Sequence, residues 1–97
     1  TAVFAMADVL AVGAIRAIRD RGLRVPEDIS VIGFDGIDLG NYLTPRLTTI
    51  RQKSDRIADR SMEILVDRIE EEKEAIHELV SFDIIAGESV AKVSAQK

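Results

Sequence analysis

Ile29-Ser30-Val31-Ile32-Gly33-Phe34, followed at once by Asp35-Gly36, is the stretch that decides the fold of this 97-residue chain. Its β-branched residues favour an extended backbone, and a short apolar run closed by turn residues reads as a buried strand. Upstream, Asp8 to Arg21 carries apolar residues at helical spacing and halts at Gly22. Asp8 suits the N-cap, Arg19 and Arg21 suit the negative end of the helix dipole, and Gly22 supplies a left-handed stop. Leu10, Ala11, Ala14, Ile15, Ala17 and Ile18 gather on one broad apolar face at about 100° per residue. Val9 and Val12 lie outside its centre, beside Arg16 and Arg19, so this helix is apolar over more than one sheet-facing side needs. Leu23 to Asp28 is a turn in which Pro26 biases Val25 towards extension. Thr1-Ala2-Val3-Phe4-Ala5-Met6 is a first candidate buried strand. Strand, helix, strand with short links is a βαβ unit with parallel strands and a right-handed crossover.

Downstream, Asp35 to Tyr42 leaves the strand through a loop that Thr44-Pro45 ends, and Leu47-Thr48-Thr49-Ile50 is a short extended segment. Ser54-Asp55 opens the longest helix. Ile57, Ala58, Ser61, Met62, Leu65 and Ile69 recur there at helical spacing, which predicts a helix to about Glu71. The acidic run from Glu70 to Glu74 opposes the helix dipole and reads as a solvated, frayed end. Phe82 to Ala86 is a last strand, and Ala91 to Lys97 a polar, loose tail. The order β-α-β-loop-β-α-β predicts an α/β fold with a mostly parallel sheet.

Composition narrows the functional classes. With 46% hydrophobic and 31% charged residues the chain has a globular, not a disordered, make-up. Thirteen basic against seventeen acidic residues leave a net charge of −4, a poor basis for binding a polyanion. The absence of cysteine excludes a disulfide framework, a thiolate zinc site and a thiol nucleophile. The longest apolar stretch is interrupted by Asp8 and Gly13, so it neither spans a bilayer nor reads as a secretory signal. A start inside an apolar run, without Met, suggests a piece of a longer protein. The exposed sheet edges of such a piece would favour self-association.

Asp35 is the sharpest chemical position. It follows the second strand directly, at the carboxyl edge where open α/β sheets place their ligand crevice. A carboxylate there can grip paired hydroxyls or a ring N–H. Asp-Gly is also a frequent turn pair, so the same residue can simply cap its own loop. Asp8 stands at another strand end, but a phosphoacceptor cluster lacks its basic partner, and a helix cap is the preferred reading. Gly87-Glu88-Ser89-Val90-Ala91 falls one residue short of a nucleophile elbow, and the only histidine, His77, sits in an acidic stretch. Neither phosphate-cradling glycine motif is present, and a lone histidine makes no metal cluster. Catalysis is unsupported, and no cofactor or metal is expected.

Asp8 to Gly13, Ala14-Ile15-Arg16-Ala17, Gly22 to Asp35, and Thr44-Pro45-x-Leu47-Thr48-Thr49-Ile50-x-Gln52 together resemble the lactose-repressor (LacI/GalR) family of bacterial transcription regulators. The resemblance covers nearly the whole chain. It implies the C-terminal part of an effector-binding core with the type I periplasmic-binding-protein fold, in which three crossings join two α/β subdomains. Residues 1–49 would belong to the C-terminal subdomain. Residues 50–80 would form a crossover and a helix of the N-terminal subdomain, and 81–97 the return crossover and tail. The family's effector aspartate corresponds to Asp35, with Gln52 a second pocket residue. Position 7, often Asn in sugar-responsive members, is Ala7, which has no side-chain hydrogen bond to offer. Gly87 stands where members often carry Arg. Val12, Arg16, Arg19 and Tyr42 are the implied dimer contacts. The expected partners are a small-molecule effector (sugar-like or a nucleobase), a second copy of the chain, and operator DNA reached only through a headpiece outside these residues. No membrane partner is implied, and the regulator would be cytoplasmic. A periplasmic solute receptor for transport, which shares the fold, is the rival reading.

Overall fold

The computed structural model describes residues 1–71, 74 and 77–93. The predicted end of the long helix beyond Glu71 lies partly, and the tail beyond Val93 wholly, outside the described residues. Four strands, β1 (Ala2–Phe4), β2 (Ser30–Asp35), β3 (Thr48–Gln52) and β4 (Phe82–Ile85), form one sheet in that order. β1 and β3 both run parallel to β2, while β4 returns antiparallel to β3, with Ile50 opposite Ile84 and Gln52 opposite Phe82. Helix α1 (Asp8–Asp20) joins β1 to β2, a short 3-10 turn (Asp38–Tyr42) lies between β2 and β3, and α2 (Ser54–Glu71) joins β3 to β4.

α1 packs on the sheet face that carries Val31, Gly33 and Thr49, with Leu47 just ahead of β3, all of them buried. Ala5, Ala11, Ile15, Ile18, Val25, Val31 and Leu47 make the core. Gly22 ends α1 as the sequence predicts. With φ +77 it lets its own N–H reach Arg19 O and the Leu23 N–H reach Ile18 O, closing the last carbonyls. The buried stripe is narrower than the sequence suggests: Ala11, Ile15 and Ile18 are covered, whereas Ala17 is exposed and Leu10 is 61% exposed. A short sheet covers only one narrow stripe of a helix, so the outer part of a broad apolar face is left over.

The opposite sheet face carries Phe4, Ile32, Phe34 and Ile50, with Phe82 and Ile84 on β4, and remains partly open. β1 is therefore not a buried strand: all three of its residues are exposed. It forms the sheet edge, and Phe4 meets the ring of Phe34, centroids 6.5 Å apart, with 61% of its own surface exposed. α2 buries none of its residues. Met62, Leu65, Val66 and Ile69 all show at least 40% of their surface. The radius of gyration is 18.0 Å, against about 13 Å for a compact chain of this size, and the molecule measures 60 × 27 × 19 Å. Among the described residues, α2 thus stands away from the βαβ lobe.

Beyond β4, residues 87–91 run back along the starts of β2 and β3. Ser89, fully buried, donates its hydroxyl to Val31 O at 2.5 Å and accepts the Thr48 N–H at 2.9 Å. The Ser89 carbonyl takes the Val31 N–H. Gly87 passes so close to β3 that a Cβ would fall 2.5 Å from Arg46 O and 2.7 Å from the Leu47 carbonyl. On this backbone no side chain fits at Gly87, where the resemblance leads one to expect arginine.

Candidate functional site

The site is built where β2 and β3 end. Asp35 closes β2 with φ +116, a left-handed value that a residue with a Cβ adopts at a cost of about 1–3 kcal/mol. Gly36 follows with φ +75, where a Cβ would lie 2.8 Å from Cβ and Cγ of Arg51, so the turn needs glycine both for its backbone and for space. Register sets Asp35 opposite Arg51, yet its carboxylate is held by the next residue along β3: Gln52 Nε2 donates to Asp35 Oδ1 at 2.7 Å. The second carboxylate oxygen has no protein partner among the described residues. Sequence reasoning left Asp35 divided between a loop cap and a ligand group. The bond to Gln52 is not a self-capping bond, and it brings together two of the three predicted pocket residues.

These residues line an open hollow of about 600 Å³, completed by Arg51, the first turn of α2 and Asp83. A smaller apolar recess of about 170 Å³, lined by Phe34, Ile50, Ile57, Val80 and Phe82, shares Gln52 with it. Polar groups beside an apolar recess suit a ring with hydroxyl or N–H edges. Ala7, the third predicted pocket residue, precedes α1 and is not among the lining residues. Two other hollows, about 520 and 860 Å³, are clefts between exposed α2 and the Glu78–Ser81 segment. Their guanidinium at Arg60 is already engaged by Glu78 at 2.8 Å and Glu63 at 3.0 Å, which makes them weaker candidates. The Arg60 side chain, by its hydrogen bond, holds the Glu78 carboxyl below its ordinary range. The Arg46 backbone N–H, then its side chain, does the same to Glu88.

Asp8 is not the helix cap that the sequence suggests. Ala7 occupies the cap position and no side chain caps the helix. The Asp8 carboxylate, 1% exposed, turns into the core instead. Its Oδ2 accepts the Ile37 N–H at 2.8 Å and its Oδ1 the Thr49 hydroxyl at 2.6 Å. Gly33 makes the room, since a Cβ there would sit 2.3 Å from Asp8 Oδ1. Local spacing showed an acidic residue at a helix start; its distant partners on β3 and in the loop after β2 were invisible to it. The signal in the sequence is a glycine between Ile32 and Phe34 inside a strand, a mark of close approach. Ser89, buried and bonded on both sides, is no accessible nucleophile, and His77 is exposed.

A βαβ sheet with a hollow at the carboxyl ends of its parallel strands narrows the class. The chain belongs to the family of periplasmic binding protein-like domains, whose model matches residues 1–90. Within that class the resemblance to LacI/GalR regulators is borne out. The chain is 51% identical, over 76% of its length, to the HTH-type transcriptional repressor PurR of Pasteurella multocida, of which it covers 22%. A LacI family transcriptional regulator from Enterococcus faecium, solved with bound ribose, matches with a TM-score of 0.79 and 38% identity, over 97% of this chain and 35% of that one. The lac repressor dimer bound to operator and the anti-inducer ONPF matches with a TM-score of 0.85 and 30% identity, over 95% and 32% of the two chains. The chain spans about a quarter of the length of the curated relatives it matches.

Proposed function

We propose that this chain is part of the effector-sensing core of a LacI-type transcription regulator, and that Asp35 and Gln52 grip the effector. The observation that carries this reading is the Asp35–Gln52 pair at the carboxyl ends of two parallel strands, with one carboxylate oxygen open to the hollow. Residues 1–49 belong to one lobe, 50–80 cross into the second, and 81–97 return. The separate stance of α2 and the antiparallel pairing of β3 with β4, one strand leaving as the other comes back, support that division. The effector is sugar-like or a nucleobase: Asp35 accepts its hydroxyls or ring N–H groups, and the apolar recess takes a ring face.

Val12, Arg16, Arg19 and Tyr42 belong to a surface that pairs two copies. The Arg19 guanidinium donates to the Thr44 carbonyl, tying α1 to the loop beyond Tyr42, and Tyr42 is 83% exposed. Val9 and Leu10, 66% and 61% exposed, are the apolar surplus beside it. Effector bound between the lobes shifts their orientation, and the dimer passes the change to DNA-binding headpieces outside these residues. The helix-turn-helix relatives favour a regulator over a solute receptor for transport. No helix among the described residues is long and apolar enough to cross a membrane. Melting the full-length regulator with ribose, cellobiose and free nucleobases identifies the effector as the compound that raises Tm. Asp35→Asn then weakens its binding by about tenfold or more, the worth of a hydrogen bond to a charged group. Unchanged affinity by calorimetry would remove Asp35 from the site.

A further inference from the structure

The conformation that aims Asp35 is strained, and strain of this kind persists only where neighbouring groups over-determine it. On one side the constraint is the Gln52 amide on the Asp35 carboxylate. On the other side the turn Asp35-Gly36 ends at Ile37, and the Ile37 N–H is held by Asp8 Oδ2. The other Asp8 oxygen is fixed by Thr49 on β3, with the backbone of Gly33 on β2 pressed against it. One buried carboxylate thus joins the start of α1, the middle of both central strands and the residue just past the turn. We propose that Asp8 is a positioning residue for Asp35. It holds the left-handed turn in place from behind and ties the hollow mechanically to α1.

Asp8 touches no ligand surface, being 1% exposed and absent from the lining of the hollow. Its influence runs through the Ile37 amide, which gives the inference a readout of its own. The ligand arm rests on the effector reading above; the amide arm does not. In Asp8→Ala the Ile37 amide loses its acceptor, and its hydrogen exchange speeds up about tenfold more than that of Val31, a fully buried residue of β2 whose N–H is held by the Ser89 carbonyl, away from the turn. Asp8→Asn is the conservative rescue. Its amide oxygen still takes the Ile37 N–H while its NH2 donates to the Thr49 hydroxyl, so Ile37 protection stays within about threefold of the parent.

The second arm is a double-mutant cycle in the full-length regulator with ribose as the probe. Asp8→Ala weakens ribose binding about tenfold when Asp35 is present but less than about twofold when Asp35→Asn is already in place, because a residue acting through Asp35 has nothing left to aim. Equal acceleration at Ile37 and Val31, or the same loss of affinity in both backgrounds, would overturn the positioning role. If the parent protein binds no ribose, that counts against ribose as effector, and the Ile37-to-Val31 comparison alone decides for or against Asp8. Should Asp8→Ala not fold, Thr49→Val replaces it: the freed Asp8 carboxylate relaxes and Ile37 exchange again outpaces Val31, whereas unaltered Ile37 exchange refutes the lock.

Discussion

Replacing Gly33 by alanine adds one methyl group at the most crowded point of the α1–sheet interface. The new Cβ would lie 2.3 Å from Asp8 Oδ1, 3.3 Å from Asp8 Cγ and 2.9 Å from Leu47 Cδ2. Leu47, 3% exposed, has little room to yield, and Asp8 can withdraw only by giving up Thr49 or Ile37. Overpacking a core costs about 1–3 kcal/mol, and each hydrogen bond to a charged group is worth about 1.5–3 kcal/mol. Against this, alanine restricts the unfolded chain and gains about 0.4–1 kcal/mol. With one of the two bonds lost, the net destabilisation is about 2–4 kcal/mol. That corresponds to a fall in Tm of about 10 °C or more, at about 4–8 °C per kcal/mol for a domain this small. Urea unfolding followed by circular dichroism measures it as a lower midpoint at unchanged slope. Gly13→Ala is the internal control, because nothing lies within 4 Å of its Cβ and it sits mid-helix on the exposed side of α1. There the same substitution stabilises by up to about 1 kcal/mol. A Gly33→Ala protein within about 0.5 kcal/mol of the parent, or one that shifts like Gly13→Ala, would refute the buried Asp8 geometry.

Three further outcomes follow from the same contacts. Ser89→Ala strands the part-buried Thr48 N–H and removes the donor to Val31 O, so it destabilises by about 1–3 kcal/mol in the same urea assay; a neutral result would detach residues 87–91 from the sheet. Gly87→Ala meets backbone atoms, which cannot swing aside as a side chain does, so its unfolding midpoint falls by an amount worth about 2 kcal/mol or more. Glu78 and Glu88 have carboxyls lowered by Arg60 and Arg46. Their contribution to stability is therefore present above the ordinary carboxylate range and lost as pH falls through their lowered folded values. The stability difference between the parent and Glu88→Gln, clear at neutral pH, accordingly shrinks in a pH series of melts below about pH 4.

The elements whose determinants are local were legible in the sequence. Gly22, with arginines before it, ended α1 where expected; Ser54 opened α2; and the β-branched run around Val31 made the central strand. Asp35 could be singled out because a strand's carboxyl edge is a place that sequence order alone can name, whereas Gln52 entered only through the family resemblance. What failed needed partners far along the chain. Asp8 looked like a cap because its acceptors' donors lie 29 and 41 residues away. Leu10 and Ala17 belong to the broad apolar face but lie outside its covered stripe, because periodicity reports how apolar a face is, not how wide a stripe the sheet can cover. β1 looked like an interior strand because its composition is apolar, yet whether a strand is an edge depends on what else pairs with it. Ser89 resembled part of a nucleophile motif and serves as a strand-to-strand bridge, a role that only the return path of residues 87–91 defines.

The central claim is that the carboxylate at the end of β2 receives the effector. The most direct measurement is a structure of the full-length regulator with the compound that raises its Tm. A ligand hydroxyl or ring N–H within hydrogen-bond distance of an Asp35 oxygen, with the Asp35-Gly36 turn still left-handed and Gln52 alongside, is the predicted result. A ligand bound elsewhere, with Asp35 bonded only to Gln52 and its other oxygen in solvent, would contradict it.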